Sequence, residues 1–153
     1  MSIFSEIIDA KNLKTYSVGL LQTKVYRALK SNTEVLLKPY KISSIEWAYL
    51  GMVSESKDGI RSGELAELLG VEAPFVTSLS AKFLKRKLIE YKKDPMDNRV
   101  RSIVITADGL ALIKEVEPML RNESKKWLKD LSIREVLMYI KVLKKIADQD
   151  EAK

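Results

Sequence analysis

The chain has no cysteine and no histidine among its 153 residues. The first absence rules out a disulfide, a thiol nucleophile and a thiolate metal site. The second removes the usual general base at neutral pH and the commonest transition-metal ligand. Together they weigh against an enzyme, and neither a metal site nor a cofactor is expected. A carboxylate-only site stays open, but no motif supports one. Long apolar runs are missing too. No stretch approaches the roughly 20 residues of a membrane span, so no membrane partner is expected. Internal repeats, low-complexity tracts and long linkers are also absent. The start Met1-Ser2-Ile3-Phe4-Ser5-Glu6 lacks a basic region, so no secretory signal is expected and the cytoplasm is the default location.

What remains is the composition of a folded chain. Hydrophobic residues make up 46% and charged residues 31%, enough for a core without covalent staples. The length fits one domain. From Asn12 to about Leu37 the apolar spacing is helical (Tyr16, Leu20, Leu21, Leu29, Leu36), and Ile3, Phe4, Ile7 and Ile8 form a separate amphipathic turn or two. Pro39 ends the long helix. Ser43 and Glu46 fit a capping box, with Ile42 and Trp47 as a hydrophobic staple, which predicts a helix from near Ser44 to about Ser56. Lys57-Asp58-Gly59 then turns the chain, and Ile60 fits a very short strand.

Ser62 to Gly70 fits a short helix, with Ser62 as N-cap, Glu64 in the first turn and Gly70 as the stop. A second helix follows from Ala73 to about Arg86, with Pro74 where proline is tolerated. Val76, Leu79, Phe83 and Leu84 share its buried face; Thr77, Ser78, Ala81, Lys82 and Lys85 lie opposite. Two helices joined by a tight turn make a helix-turn-helix, whose second helix suits a major groove. Leu88-Ile89-Glu90-Tyr91-Lys92-Lys93 and Ser102-Ile103-Val104-Ile105 have strand composition. Between them Asp94, Pro95 and Asn98 are turn formers, so a β-hairpin with a charged tip is expected. After it, Thr106 caps a helix in which Pro118 predicts a kink or break near Val116. Ser132 and Glu135 form a second capping box, with Leu131 and Val136 as staple. The last helix runs to about Ala147, with Val136, Ile140, Leu143 and Ala147 on one face.

Net charge is +6, from 27 basic and 21 acidic residues. Residues 82 to 101 hold eight basic residues against three acidic ones, a net +5, whereas residues 43 to 60 carry −2. A basic patch on a helix and hairpin is the footprint of a polyanion binder.

The run Glu64-Leu65-Ala66, Val71, Val76-Thr77, Leu88-Ile89, Asp94-Pro95-Met96-Asp97-Asn98-Arg99 and Val104-Ile105-Thr106-Ala107-Asp108-Gly109 resembles the multiple antibiotic resistance regulator (MarR) family. The motifs cover residues 40 to 115, and element order extends the likeness to nearly the whole chain. The Asp-x-x-Asp-x-Arg wing, followed by a strand and Thr-x-x-Gly, is its most specific part. The resemblance implies a mainly α subunit with a small β-hairpin. Residues 43–106 would form the winged helix-turn-helix, and residues 1–38 and 110–153 a helical dimerisation region. It implies a homodimeric DNA-binding regulator on a pseudo-palindromic site, repression being the family's commoner mode. Half-sites are expected roughly 10–10.5 bp apart.

On this reading Arg99 enters a minor groove and Asp97 holds its guanidinium, with Arg101 beside them. Ala73, Pro74, Phe75, Thr77, Ser78, Ala81 and Lys82 form the outer face or N-terminus of the recognition helix. Hydroxyls there address base edges or phosphates, and small apolar groups suit a thymine methyl. Lys82 and Lys85 suit phosphates. Phe75 fits an inter-helix contact equally well, and Lys85, Arg86 and Lys87 fit a solvated face. Family members often bind small aromatic or anionic effectors. Tyr16, Leu20, Arg27, Tyr40 and Trp47 are the candidate lining here, and ordinary core positions are the alternative. Three positions depart from the pattern: Ser78 replaces a frequent arginine, Lys87 replaces the glycine ending the recognition helix, and Pro118 interrupts the fifth helix. The alternative function is a winged-helix protein–protein adaptor, which calls for an apolar or acidic recognition face.

Overall fold

The computed structural model describes residues 14–93 and 101–150. Among them the order is α1 (Thr15–Leu37), a 3-10 turn (Lys38–Tyr40), α2 (Ser44–Glu55), α3 (Ser62–Leu69), α4 (Ala73–Lys85), β1 (Ile89–Lys93), β2 (Arg101–Ile105), α5 (Ala107–Trp127) and α6 (Ile133–Asp150). This is the mainly helical architecture with a small hairpin that the sequence predicts. The expected turn at residues 3–8, the helix start at Asn12 and the hairpin tip with Asp94, Pro95, Asp97, Asn98 and Arg99 lie outside the described residues. The chain divides into two compact units, one ending at Lys114 and one starting at Glu115. No helix among the described residues is long and apolar enough to cross a membrane.

In the first unit, local chemistry sets the helix ends. Pro39 sits in the 3-10 turn that closes α1, and Lys41 follows in the left-handed region at φ 56°. The capping box of α2 forms as predicted. The Glu46 amide donates to Ser43 Oγ at 3.4 Å, and the Ser43 amide donates to Glu46 Oε2 at 2.8 Å. Helix α3 begins one residue earlier than expected. Arg61 is the N-cap and Ser62 the first helical residue, without a side-chain cap. The chain just before is pinned by Ile60, which exchanges backbone hydrogen bonds with Ile103 at 3.0 and 2.8 Å. The N-cap therefore falls on the first residue past that bridge.

The core of this unit is built by Tyr49, Leu50 and Val53 of α2, Leu65 of α3, Val76, Leu79 and Phe83 of α4, and Ile89 and Ile103 of the hairpin, all buried. The rings of Tyr49 and Phe83 stand 5.1 Å apart with a 42° tilt, within the favoured range for aromatic pairs. The Tyr49 hydroxyl bonds Ser80 Oγ at 2.7 Å, so both buried polar groups are satisfied. Burial pushes the Tyr49 phenol up to about 12. In the hairpin, Ile89 pairs with Ile105, Tyr91 with Ile103 and Lys93 with Arg101. At the start of α5, Thr106 Oγ1 donates to the Lys87 carbonyl at 2.7 Å and accepts from the Gly109 amide at 3.1 Å. A Cβ at Gly109 would fall 2.2 Å from the Leu88 carbonyl oxygen, so only glycine lets the helix approach this closely.

In the second unit, the Ser132–Glu135 capping box forms as predicted, with bonds of 2.7 and 3.3 Å. The break expected near Val116 does not occur, because α5 continues through Pro118 to Trp127. Proline removes its own N–H from the ladder and crowds the carbonyl four residues earlier, yet the helix is continuous there. The following turns are reinforced by the Glu117–Arg121 pair at 3.0 Å and the Glu123–Lys126 pair at 2.8 Å.

The exit of α4 is the strained point of the winged helix. Arg86 is the C-cap and Lys87 follows at φ 59°. The Lys87 amide reaches the Leu84 carbonyl at 2.9 Å and the Leu88 amide reaches that of Phe83 at 3.0 Å. This is the Schellman pattern, in which glycine is preferred at the position held by Lys87. Lys87→Gly is expected to raise the unfolding free energy by about 1 kcal/mol, since the left-handed region disfavours a Cβ. The urea midpoint is the measurement, and an unchanged or lower midpoint contradicts the strain.

Candidate nucleic-acid interface

Helix α4 buries one side and leaves the other open. Val76, Leu79, Ser80 and Phe83 are buried, while Ala73, Pro74, Phe75, Thr77, Ser78, Ala81, Lys82 and Lys85 are exposed. At 100° per residue, Pro74, Ser78, Ala81 and Lys85 form the centre of the open stripe. Ala73 and Thr77 flank it on one side, Phe75 and Lys82 on the other. All eight candidates in this helix therefore fall on its open side. Phe75 is 42% exposed and borders an open groove of about 750 Å³ between α3 and α4, lined also by Ala66, Glu67, Val71 and Glu72.

Lys82 has a structural partner that the sequence reading did not foresee. Its ammonium meets Glu46 Oε1 at 2.5 Å and reaches the Lys41 carbonyl at 3.4 Å. Arg86 donates to the carbonyls of Tyr40 at 3.0 Å and Lys41 at 3.4 Å. Helix α4 is thus strapped by two cations to the corner between α1 and α2. Burial works against the Glu46 charge. Hydrogen bonds from Lys82, from the Ser43 amide and from the Ser43 side chain, with the nearby ammonium, outweigh it and hold the carboxyl below its ordinary 4.5. No spacing rule joins Glu46 to a residue 36 positions away; only the local half of its role, the capping box, is visible in the sequence.

The hairpin carries the remaining charge. Lys93 and Arg101 face each other across the last described pair of the ladder, both exposed. By the two-residue period they share a sheet face with Ile89 and Ile103. Like charges in register are mutually destabilising unless a polyanion offsets them. Lys92 is paired with Glu90 at 3.3 Å. Residues 94–100 connect the strands beyond this point, so Asp97 and Arg99 lie outside the described residues.

Of the five candidate effector contacts, Tyr16, Leu20 and Arg27 share one exposed stripe of α1, with Tyr16 65% and Leu20 61% exposed. Tyr40 and Trp47 are half-buried in the 3-10 turn and α2. None of the five lines the groove beside Phe75. Among the described residues no cluster of acidic side chains is arranged to hold a metal ion.

Two helices joined by a tight turn, followed by a hairpin set against them, define a winged helix-turn-helix. No known family profile matches the chain. Solved structures do share its fold. CouR from Rhodococcus jostii RHA1, solved bound to p-coumaroyl-CoA, superposes with a TM-score of 0.80 over 85% of this chain and 91% of that one, at 19% identity. A MarR-family transcriptional regulator from Rhodococcus sp. RHA1 gives 0.79 over 89% and 97%, at 18% identity. MepR from S. aureus, solved as a DNA complex, gives 0.74 over 84% and 93%, at 21% identity. The fold is that of the MarR-family transcriptional regulators.

The Glu46–Lys82 strap has a pH signature. The folded state favours ionised Glu46, so the strap's contribution is complete above pH 4.5 and fades as pH falls below it. Glu46→Gln is expected to lower stability at pH 7 and to lose less on acidification from pH 5 to pH 3 than the parent does. Parallel urea titrations read both effects, and identical pH slopes for parent and variant count against the strap.

Proposed function

We propose that this chain is a MarR-family DNA-binding transcription regulator that acts as a homodimer. The observation that carries the reading is the open face of α4 beside a hairpin on which Lys93 and Arg101 stand in register. Cations held at that spacing neutralise phosphates and release counterions, which drives association with duplex DNA. The open side of α4 is wide enough to meet base edges in a major groove. Arg99, two residues before Arg101, is the residue proposed to enter the adjoining minor groove, with Asp97 orienting it. The likeness to MepR, which was solved on DNA, supports the same reading.

Dimerisation rests on uncovered apolar surface. In α6, Ile133 is 73% exposed, Leu137 60% and Ile140 55%. In α1, Tyr26, Val35 and Leu20 are more than half exposed. Faces of this kind need cover, and a second copy related by a two-fold axis is the simplest source. Residues 1–38 and 110–153 are assigned to that role and residues 43–106 to DNA contact. Repression, a small aromatic or anionic effector and a cytoplasmic location complete the proposal. The solved complex of CouR with p-coumaroyl-CoA supports the effector.

The test is Arg99→Ala in a gel-shift titration against duplexes selected from a random pool. We expect the Kd to rise more than about tenfold, and the slope of log K on log salt to become shallower by about one unit. The thermal midpoint should stay unchanged. Equal affinity and equal slope for parent and variant would remove Arg99 from the interface.

A further inference from the structure

On the reading of α4 as the recognition helix, we infer that it reads its site chiefly through thymine 5-methyl groups. Ala73, Pro74, Thr77 and Ala81 supply the apolar contacts. The direct codes for guanine and adenine use long forked or amide side chains: Arg or Lys on guanine O6 and N7, Asn or Gln on adenine N6 and N7. None of these four residue types occurs between Ala73 and Ala81, the half of a recognition helix that meets base edges. The basic residues beyond it do not make up the lack. Lys82 is held by Glu46 and the Lys41 carbonyl, and Arg86 by the carbonyls of Tyr40 and Lys41. Both are drawn toward the corner between α1 and α2. Lys85 stands a full turn beyond Ala81, toward the end of α4.

What the open stripe presents is mostly carbon. Ala73, Pro74 and Ala81 end in methyl or ring carbons, and all three are exposed. Thr77 donates its hydroxyl proton to the Ala73 carbonyl at 3.2 Å, which leaves that oxygen only as an acceptor. Its γ-methyl is a further apolar group. Ser78 is the hydroxyl at the centre of the stripe, a short and permissive reader. Glu72, exposed at the N-cap, is an acceptor and repels phosphate. Apolar side chains matched to a groove edge select the one base that carries a methyl there. Affinity then comes from the hairpin cations and sequence preference from methyl contacts.

The experiment uses the full-length protein and duplexes selected from a random pool. Each thymidine in the bound half-site is replaced singly by deoxyuridine, which removes only the 5-methyl group. We expect at least two positions per half-site at which the Kd rises about fourfold, equivalent to roughly 0.8 kcal/mol for one buried methyl. Thr77→Ser, which keeps the hydroxyl, should make binding at one of them indifferent to the exchange of thymidine for deoxyuridine. Specific binding that is indifferent to every replacement, or a selected half-site lacking thymine, overturns the inference and leaves the DNA-binding reading standing. Absence of salt-dependent binding to any duplex overturns both.

Discussion

The winged helix depends on how the inner face of α4 is held against α2. Phe83 is fully buried beside the Tyr49 ring, and Ser80 spends its hydroxyl on the Tyr49 phenol. At the edge of that contact Lys82 and Arg86 strap the helix to the capping box and to the carbonyls ahead of it. A helix fixed on one side by a ring pair, a buried hydrogen bond and two charged straps has a defined rotation about its axis. That rotation decides which residues remain open. Turning α4 by one residue position, 100°, would exchange the stripe of Pro74, Ser78 and Ala81 for part of the core.

The straps also divide labour among the basic residues. Composition alone treats the eight cations between 82 and 101 as equivalent. The geometry separates them. Lys82 and Arg86 hold the scaffold, Lys92 is paired on its own strand, and Lys93 and Arg101 stand opposite each other at the end of the ladder. Lys93 and Arg101 put like charge in register at the last described pair of the hairpin. Lys82 and Arg86 instead direct their charge to partners within the chain. The Schellman turn at Lys87, locked by Thr106, ties the hairpin to the end of α4.

Much of this was legible in the sequence where the physics is local. The capping boxes at Ser43–Glu46 and Ser132–Glu135 involve residues three apart, and both form. The open and buried sides of α4 follow from its period. Lys87 was recognisable as a residue in a glycine's place only through the resemblance to a family pattern, and it stands at φ 59°. Non-local effects were hidden. The Ile60–Ile103 bridge moved the N-cap of α3 from Ser62 to Arg61. Continuity of α5 through Pro118 runs against the general rule for proline. The Glu46 partner of Lys82 lies 36 residues upstream, where no spacing rule reaches. The apolar face of α6 was visible as a pattern, and Ile140 and Leu143 on it are exposed.

The central claim is that one surface, made of the open side of α4 and the hairpin, meets duplex DNA. Backbone amide exchange of the full-length protein, with and without a selected duplex, addresses it directly. The account predicts slowed exchange in the first turns of α4 and across residues 91–103, with smaller changes elsewhere. Protection confined to α6, or exchange unaltered by saturating duplex, would contradict it.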